Sequence, residues 1–105
     1  MHEVSKKEMA QGRATGVSVK FDDGQFCFIA TDNGVLGCGI FDINIFNEAG
    51  YAGAIMRGTE EKPYVEPEDL LEGKVSAVSD KAREMGIEVG MHGDVVLKKL
   101  LGDSA

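Results

Sequence analysis

Polar and apolar positions alternate with a period of two over Val17-Ser18-Val19-Lys20-Phe21, which predicts a half-buried strand. Asp22-Asp23-Gly24-Gln25 then supplies a hairpin turn in which Gly24 is expected to take a positive φ. Phe26-Cys27-Phe28-Ile29-Ala30 is apolar at every position, the pattern of a central strand covered on both faces. Asp32-Asn33-Gly34 follows, and Asn-Gly is the strongest short hairpin signal because a type I′ turn needs two positive φ values. Val35-Leu36-Gly37-Cys38 returns as a third strand and completes an antiparallel meander.

The period then changes. Phe41, Ile43, Ile45 and Phe46 predict a short buried helix over Asp42–Ala49, with Asp42 at its start and Gly50 as its stop. Tyr51 to Arg57 reads as a further strand, and Gly58 to Glu66 as a polar surface loop. Glu66-Pro67-Glu68-Asp69 opens a short helix that ends at Gly73. Val75, Val78, Ala82 and Met85 predict an amphipathic helix over Lys74–Met85, stopped by Gly86. Ile87-Glu88-Val89 is extended, and a last helix buries Val96, Leu97, Leu100 and Leu101. Glu3 to Ala10 fits an edge strand or a frayed end, and Gln11-Gly12-Arg13 is a turn.

These elements predict an α+β fold: a mainly antiparallel sheet of about five strands with helices packed against it. The 105 residues are expected to form a single domain, residues 1–105, that buries about two thirds of its unfolded surface. No apolar run approaches the roughly 18 residues of a membrane span, and the N-terminus lacks the apolar core of a secretory signal. A cytoplasmic protein without membrane contact is expected.

Eighteen acidic residues against eleven basic ones give a net charge of −7, with the basic residues scattered, which disfavours nucleic acid as a partner. Cys27 and Cys38 have no metal-type spacing and are expected as reduced thiols, Cys27 as core; neither a metal nor a cofactor is expected. Exposed edge strands make a homodimer an expectation.

The candidate chemistry gathers at Cys38. A thiol at a strand end ahead of a helix can have its pKa lowered by the helix dipole and nearby amides, and the amides of Gly39, Ile40 and Phe41 offer an oxyanion hole. Against this, a buried cysteine is often a small hydrophobe, and a carboxylate at Asp42 opposes the thiolate. Asp42 is a helix cap by position, with a general base as its functional alternative. His92 is the histidine available to pair with Cys38, or an exposed residue at a helix start. Gly37-Cys38-Gly39-Ile40-Phe41-Asp42 departs from a dinucleotide fingerprint, since Asp42 replaces the third glycine and the stretch is expected to follow a meander rather than open a βαβ unit.

Asn33-Gly34, Cys38-Gly39-x-x-Asp42, Asn47-Glu48 and Met85-Gly86-Ile87-x-Val89-Gly90-Met91-x-Gly93 together resemble the YunC-like domain of unknown function of bacteria and archaea. The likeness runs from Val17 to Leu101; it departs at Ala54, where a basic residue is expected, and in a longer loop at Glu60–Glu66. The resemblance implies an α+β fold and a site around Cys38 to Asp42, and names no substrate. Two functional classes follow. One is a small-ligand-binding or interaction module at the Cys-Gly-x-x-Asp turn, with Asn33, Gly34, Gly39 and His92 contributing. The other is an enzyme of acyl transfer or hydrolysis using Cys38 as nucleophile, assisted by Asp42 or His92.

Overall fold

The computed structural model describes residues 2–9, 12–57 and 65–102. Among these residues six strands, β1 (Glu3–Glu8), β2 (Ala14–Phe21), β3 (Gly24–Thr31), β4 (Gly34–Cys38), β5 (Ala52–Met56) and β6 (Ala77–Val78), form one sheet in sequence order. Four helices accompany them: α1 (Ile43–Ala49), α2 (Pro67–Leu70), α3 (Asp80–Glu84) and α4 (Gly93–Leu100). The fold is α+β as expected, but the sheet is mixed: β4 and β5 run parallel, and the other neighbours are antiparallel.

The parallel pair has a consequence for the site. With α1 as the connection, Cys38 and Gly39 do open a βαβ unit, contrary to the expectation of a plain meander. What sets the stretch apart from a dinucleotide site is then Asp42 alone, whose carboxylate already occupies the helix start.

The core lies on one face of the sheet, where Cys27, Ile29, Leu36 and Met56 meet Leu70, Val96, Leu97 and Leu100 from α2 and α4. The inward residues of β2 are Ala14, Gly16 and Ser18, the opposite phase from the apolar series Val17, Val19 and Phe21. Small residues are needed there because α2 presses on the strand: a Cβ at position 16 would lie 2.7 Å from Pro67 Cβ. The larger apolar series instead faces the second side of the sheet, where Val17 and Val19 are half-buried beside Phe28 and Phe26, and Phe21 is exposed.

Both hairpin turns form without a positive φ. At the second, Thr31 Oγ1 accepts from the amides of Asn33 and Gly34 and donates to the Gly34 carbonyl. Gly34 is there for space: a Cβ would sit 2.4 Å from the Ala52 carbonyl oxygen and 2.9 Å from Leu100 Cδ2. Its neighbour Asn33 donates through Nδ2 to the Leu100 carbonyl, 2.8 Å away, and so caps the end of α4.

Three further expectations change. Helix α1 has no buried residue; its apolar side rests on the second face of the sheet and leaves Ile45 58% exposed. The helix predicted over Lys74–Met85 is confined to Asp80–Glu84, because Ala77 and Val78 pair with β5, Val75 is hydrogen-bonded to Gly90 and Met91, and Ser79 is the N-cap. Ile87 to Val89 joins no strand. Glu3–Glu8 is an exposed edge strand, and α4 buries all four residues expected of it or of its end. The predicted loop Gly58–Glu66 lies outside the described residues except for its last two. No helix among the described residues is long and apolar enough to cross a membrane.

Candidate functional site

Cys38 ends β4 on the core face of the sheet and is 8% exposed. The β3–β4 register pairs Phe28 with Gly37, and one further step puts Cys27 opposite Cys38. The Cys27 thiol donates to the Cys38 sulfur, and this holds the Cys38 pKa down to about 6. Burial opposes the shift, while the backbone amides of Ile40, Cys27 and Cys38 support it by turning toward the sulfur. Cys27, fully buried, is pushed up by the same hydrogen bond, then by burial and by the charges of Cys38, Asp69 and Glu66. The contact therefore favours the thiolate at Cys38 and the protonated thiol at Cys27.

The turn after Cys38 is closed by the Phe41 amide, which donates to the Cys38 carbonyl at 3.3 Å. That bond removes Phe41 from the amides expected to form an oxyanion hole. Asp42 accepts from Asn44 N at 2.9 Å, the N-cap of α1. His92 lies at the start of α4, where its Nδ1 is 3.0 Å from Asp94 Oδ1, and this contact holds the Asp94 carboxyl below its ordinary pKa. The groups acting most strongly on Cys38 include neither Asp42 nor His92.

On the opposite face, Phe41 stands at the centre of an aromatic cluster, edge-on to Phe28 at 5.6 Å and to Phe26 and Phe46 at 6.4 Å. Among the hollows that flank α1 are two that adjoin. One, of about 320 Å³, is lined by Ile40, Phe41, Asp42, Ile45, Phe46 and Tyr51. The other, of about 300 Å³, is lined by Asn33, Gly34, Phe46, Tyr51 and Lys81 among others. Phe46 and Tyr51 belong to both, so the hollows adjoin.

The residues singled out in the sequence are thus dispersed. Asn33, Gly34 and Asp42 line the hollows around α1. Cys38 lies on the core face and lines neither hollow, nor does Gly39, and His92 belongs to a third place. The aromatic walls Phe41, Phe46 and Tyr51 were readable only as core or strand residues, since alternation along the chain does not show which rings a crossover helix leaves uncovered. The Cys27–Cys38 contact was hidden for a similar reason: the cysteines are eleven positions apart in the chain, and only the strand register brings them together.

Residues 37–100 match the family model described as "Domain of unknown function (DUF1805)". The uncharacterized protein YunC of Bacillus subtilis (strain 168) is 31% identical over 87 residues, covering 83% of this chain and 85% of YunC. The fold is shared with a protein of unknown function, TA1206 of Thermoplasma acidophilum, whose crystal structure has a TM-score of 0.77 at 22% identity over 95% of this chain and 93% of that one. With the matched segment spanning Cys38, Asp42, His92, α1 and α4, the chain belongs to the DUF1805 family of domains of unknown function.

Proposed function

We propose that the protein is a small-ligand-binding module whose site is the double hollow around α1. The observation that carries this reading is the sharing of Phe46 and Tyr51 by two hollows of about 300 Å³ each, at the lower end of the range typical of small-molecule sites. One wall is apolar, from Ile40, Ile45, Phe46 and Tyr51, and the polar residues Asn33, Asp42 and Lys81 also line the pair of hollows. This arrangement suits a compact apolar molecule with a hydrogen-bonding end. Ile40 and Tyr51, each 62% exposed, are large apolar surfaces left to solvent, which a ligand would cover.

The test uses the neutral apolar dye Nile red. Its fluorescence is expected to rise on mixing with the protein, and Ile45→Ser and Tyr51→Ser are expected to weaken that rise several-fold with thermal stability little changed. An unaltered response in both variants, or none in the wild type, refutes the reading.

A second reading, Cys38 as a nucleophile in acyl transfer or hydrolysis, is favoured by the amides of Ile40, Cys27 and Cys38 around its sulfur. It is tested by the pH dependence of alkylation, with Cys38→Ser as the control for Cys27; a midpoint near the ordinary thiol value refutes it. We also infer a homodimer through the exposed edge strand β1 and the apolar residues Val4 and Phe21 beside it, 53% and 45% exposed. Light scattering that gives a monomer mass refutes that inference. A reducing, cytoplasmic setting accords with two free thiols.

A further inference from the structure

We propose that Cys38 and Cys27 form a dithiol site for thiol-dependent reduction of small hydroperoxides, with Cys38 as the attacking sulfur and Cys27 as the resolving one. The proposal uses the sulfur of the second reading above but requires Cys27 as well, and it is independent of the hollows around α1.

Three observations support it. First, the cysteines lie one step beyond the Phe28–Gly37 pair at the end of an antiparallel ladder, and their thiols are hydrogen-bonded. Directly opposed residues hold their Cβ atoms about 4.5–5.5 Å apart, and a disulfide needs about 3.5–4.5 Å, so closure requires a contraction of about 1 Å. No strand has to unfold for the second thiol to arrive. Second, the two sulfurs differ in access: Cys38 is 8% exposed and Cys27 is 0% exposed. Third, the amides of Ile40, Cys27 and Cys38 are positioned to hold the anion before attack. With Cys38 only 8% exposed, a small oxidant is favoured over a bulky one, and a hydroperoxide presents just two linked oxygen atoms at its reacting end.

The Cys38 thiolate attacks the terminal peroxide oxygen, forming an S–O bond as the O–O bond breaks and releasing hydroxide (or an alkoxide) that takes a proton from water. The sulfur is oxidised to a sulfenic acid, and the peroxide is reduced. The Cys27 sulfur then attacks the Cys38 sulfur, its proton leaves with the departing hydroxyl as water, and the Cys27–Cys38 disulfide forms. Two equivalents of a low-molecular-weight thiol reduce this disulfide by exchange and are themselves joined as a disulfide.

The experiment treats reduced wild-type protein with one equivalent of hydrogen peroxide and reads the intact mass without reductant. The expected result is loss of two hydrogens, with both thiols disappearing together and returning with dithiothreitol. In Cys27→Ala the same treatment is expected to add one oxygen, trapped as a dimedone adduct at Cys38; in Cys38→Ala, Cys27 is expected to stay reduced. Cys27→Ser repeats the first variant with a different side chain, and near-ultraviolet circular dichroism checks folding. Wild-type protein that keeps both thiols, or takes up oxygen without losing the hydrogens, overturns the proposal. So does Cys38→Ala protein whose Cys27 oxidises at the wild-type rate. If Cys38 still alkylates with a low midpoint while no disulfide forms, the dithiol fails and the single-nucleophile reading stands.

Discussion

Gly93 opens α4 against the end of α2, and its replacement by alanine sets two effects of opposite sign against each other. Helix propensity and loss of unfolded-chain entropy both favour alanine, by at most about 1 kcal/mol each. Gly93 is not among the residues with positive φ, so its backbone conformation does not oppose the change. Space does. An added Cβ would lie 1.9 Å from the Leu70 carbonyl oxygen and 2.9 Å from its carbonyl carbon, whereas ordinary contact begins at 3.4 Å. The helices must therefore separate by about 1.5 Å. That movement would break Gly93 N–H to the Gly73 carbonyl (2.9 Å) and Asp94 N–H to the Leu71 carbonyl (3.2 Å). Each bond contributes about 1 kcal/mol, and overpacking adds about 1–3 kcal/mol, so the net expectation is a loss of about 2–3 kcal/mol. For a domain of this size the Tm should fall by about 10–20 °C. Urea denaturation followed by circular dichroism measures it, with Gly90→Ala as the comparison. Gly90 has φ +94° and no neighbour within 4 Å of an added Cβ, so its cost is backbone strain alone, about 1–2 kcal/mol. A Gly93→Ala protein as stable as the wild type, or less affected than Gly90→Ala, refutes the close-approach argument.

Ser79→Ala should cost about 2–4 kcal/mol in the same assay, because the fully buried Oγ accepts from Gly53 N and Ala82 N and donates to the Tyr51 carbonyl. Asp42→Ala should cost only about 1 kcal/mol by thermal melting, with Asp42→Asn closer to wild type, as expected for an exposed cap; a larger loss would point to a role beyond capping. The thiol pair predicts a pH signature. Since the folded Cys38 pKa is depressed to about 6, its contribution to stability is present above the unfolded thiol value of about 8.5 and is lost as pH falls toward 6. Cys27, raised, acts oppositely above about 8.5, where the unfolded chain releases a proton that the folded one retains. Urea midpoints of wild type minus a Cys27→Ala/Cys38→Ala protein should thus rise from pH 6 to 8.5 and fall beyond; a flat difference refutes the pairing.

Features whose causes are local were legible along the chain. The strands around residues 14–38, the cap at Asp42, the stop at Gly50 with φ +76°, the proline entry to α2 and the buried stripe of α4 each depend on residues within a few positions of one another. Asp42 in particular reads correctly because an N-cap needs only its own carboxylate and an amide two residues on. The spacing Val75, Val78, Ala82 misled because the first two are held by pairing and hydrogen bonding beyond their own segment, a pattern that helical spacing can imitate.

Tertiary structure alone decided the rest. An apolar run such as Ala52–Met56 carries no mark of the direction in which it will pair, so the parallel β4–β5 ladder and the βαβ unit at Cys38 arose from packing. Likewise, the inward phase of β2 was chosen by Pro67 pressing on Gly16, some fifty residues away. The joining of Cys27 to Cys38, and of Phe46 and Tyr51 into one wall, followed from strand register and from where the crossover helix lay down. Periodicity reports which side of an element is apolar, whereas a site is made by elements that meet, and their meeting is set by contacts between residues remote in the chain.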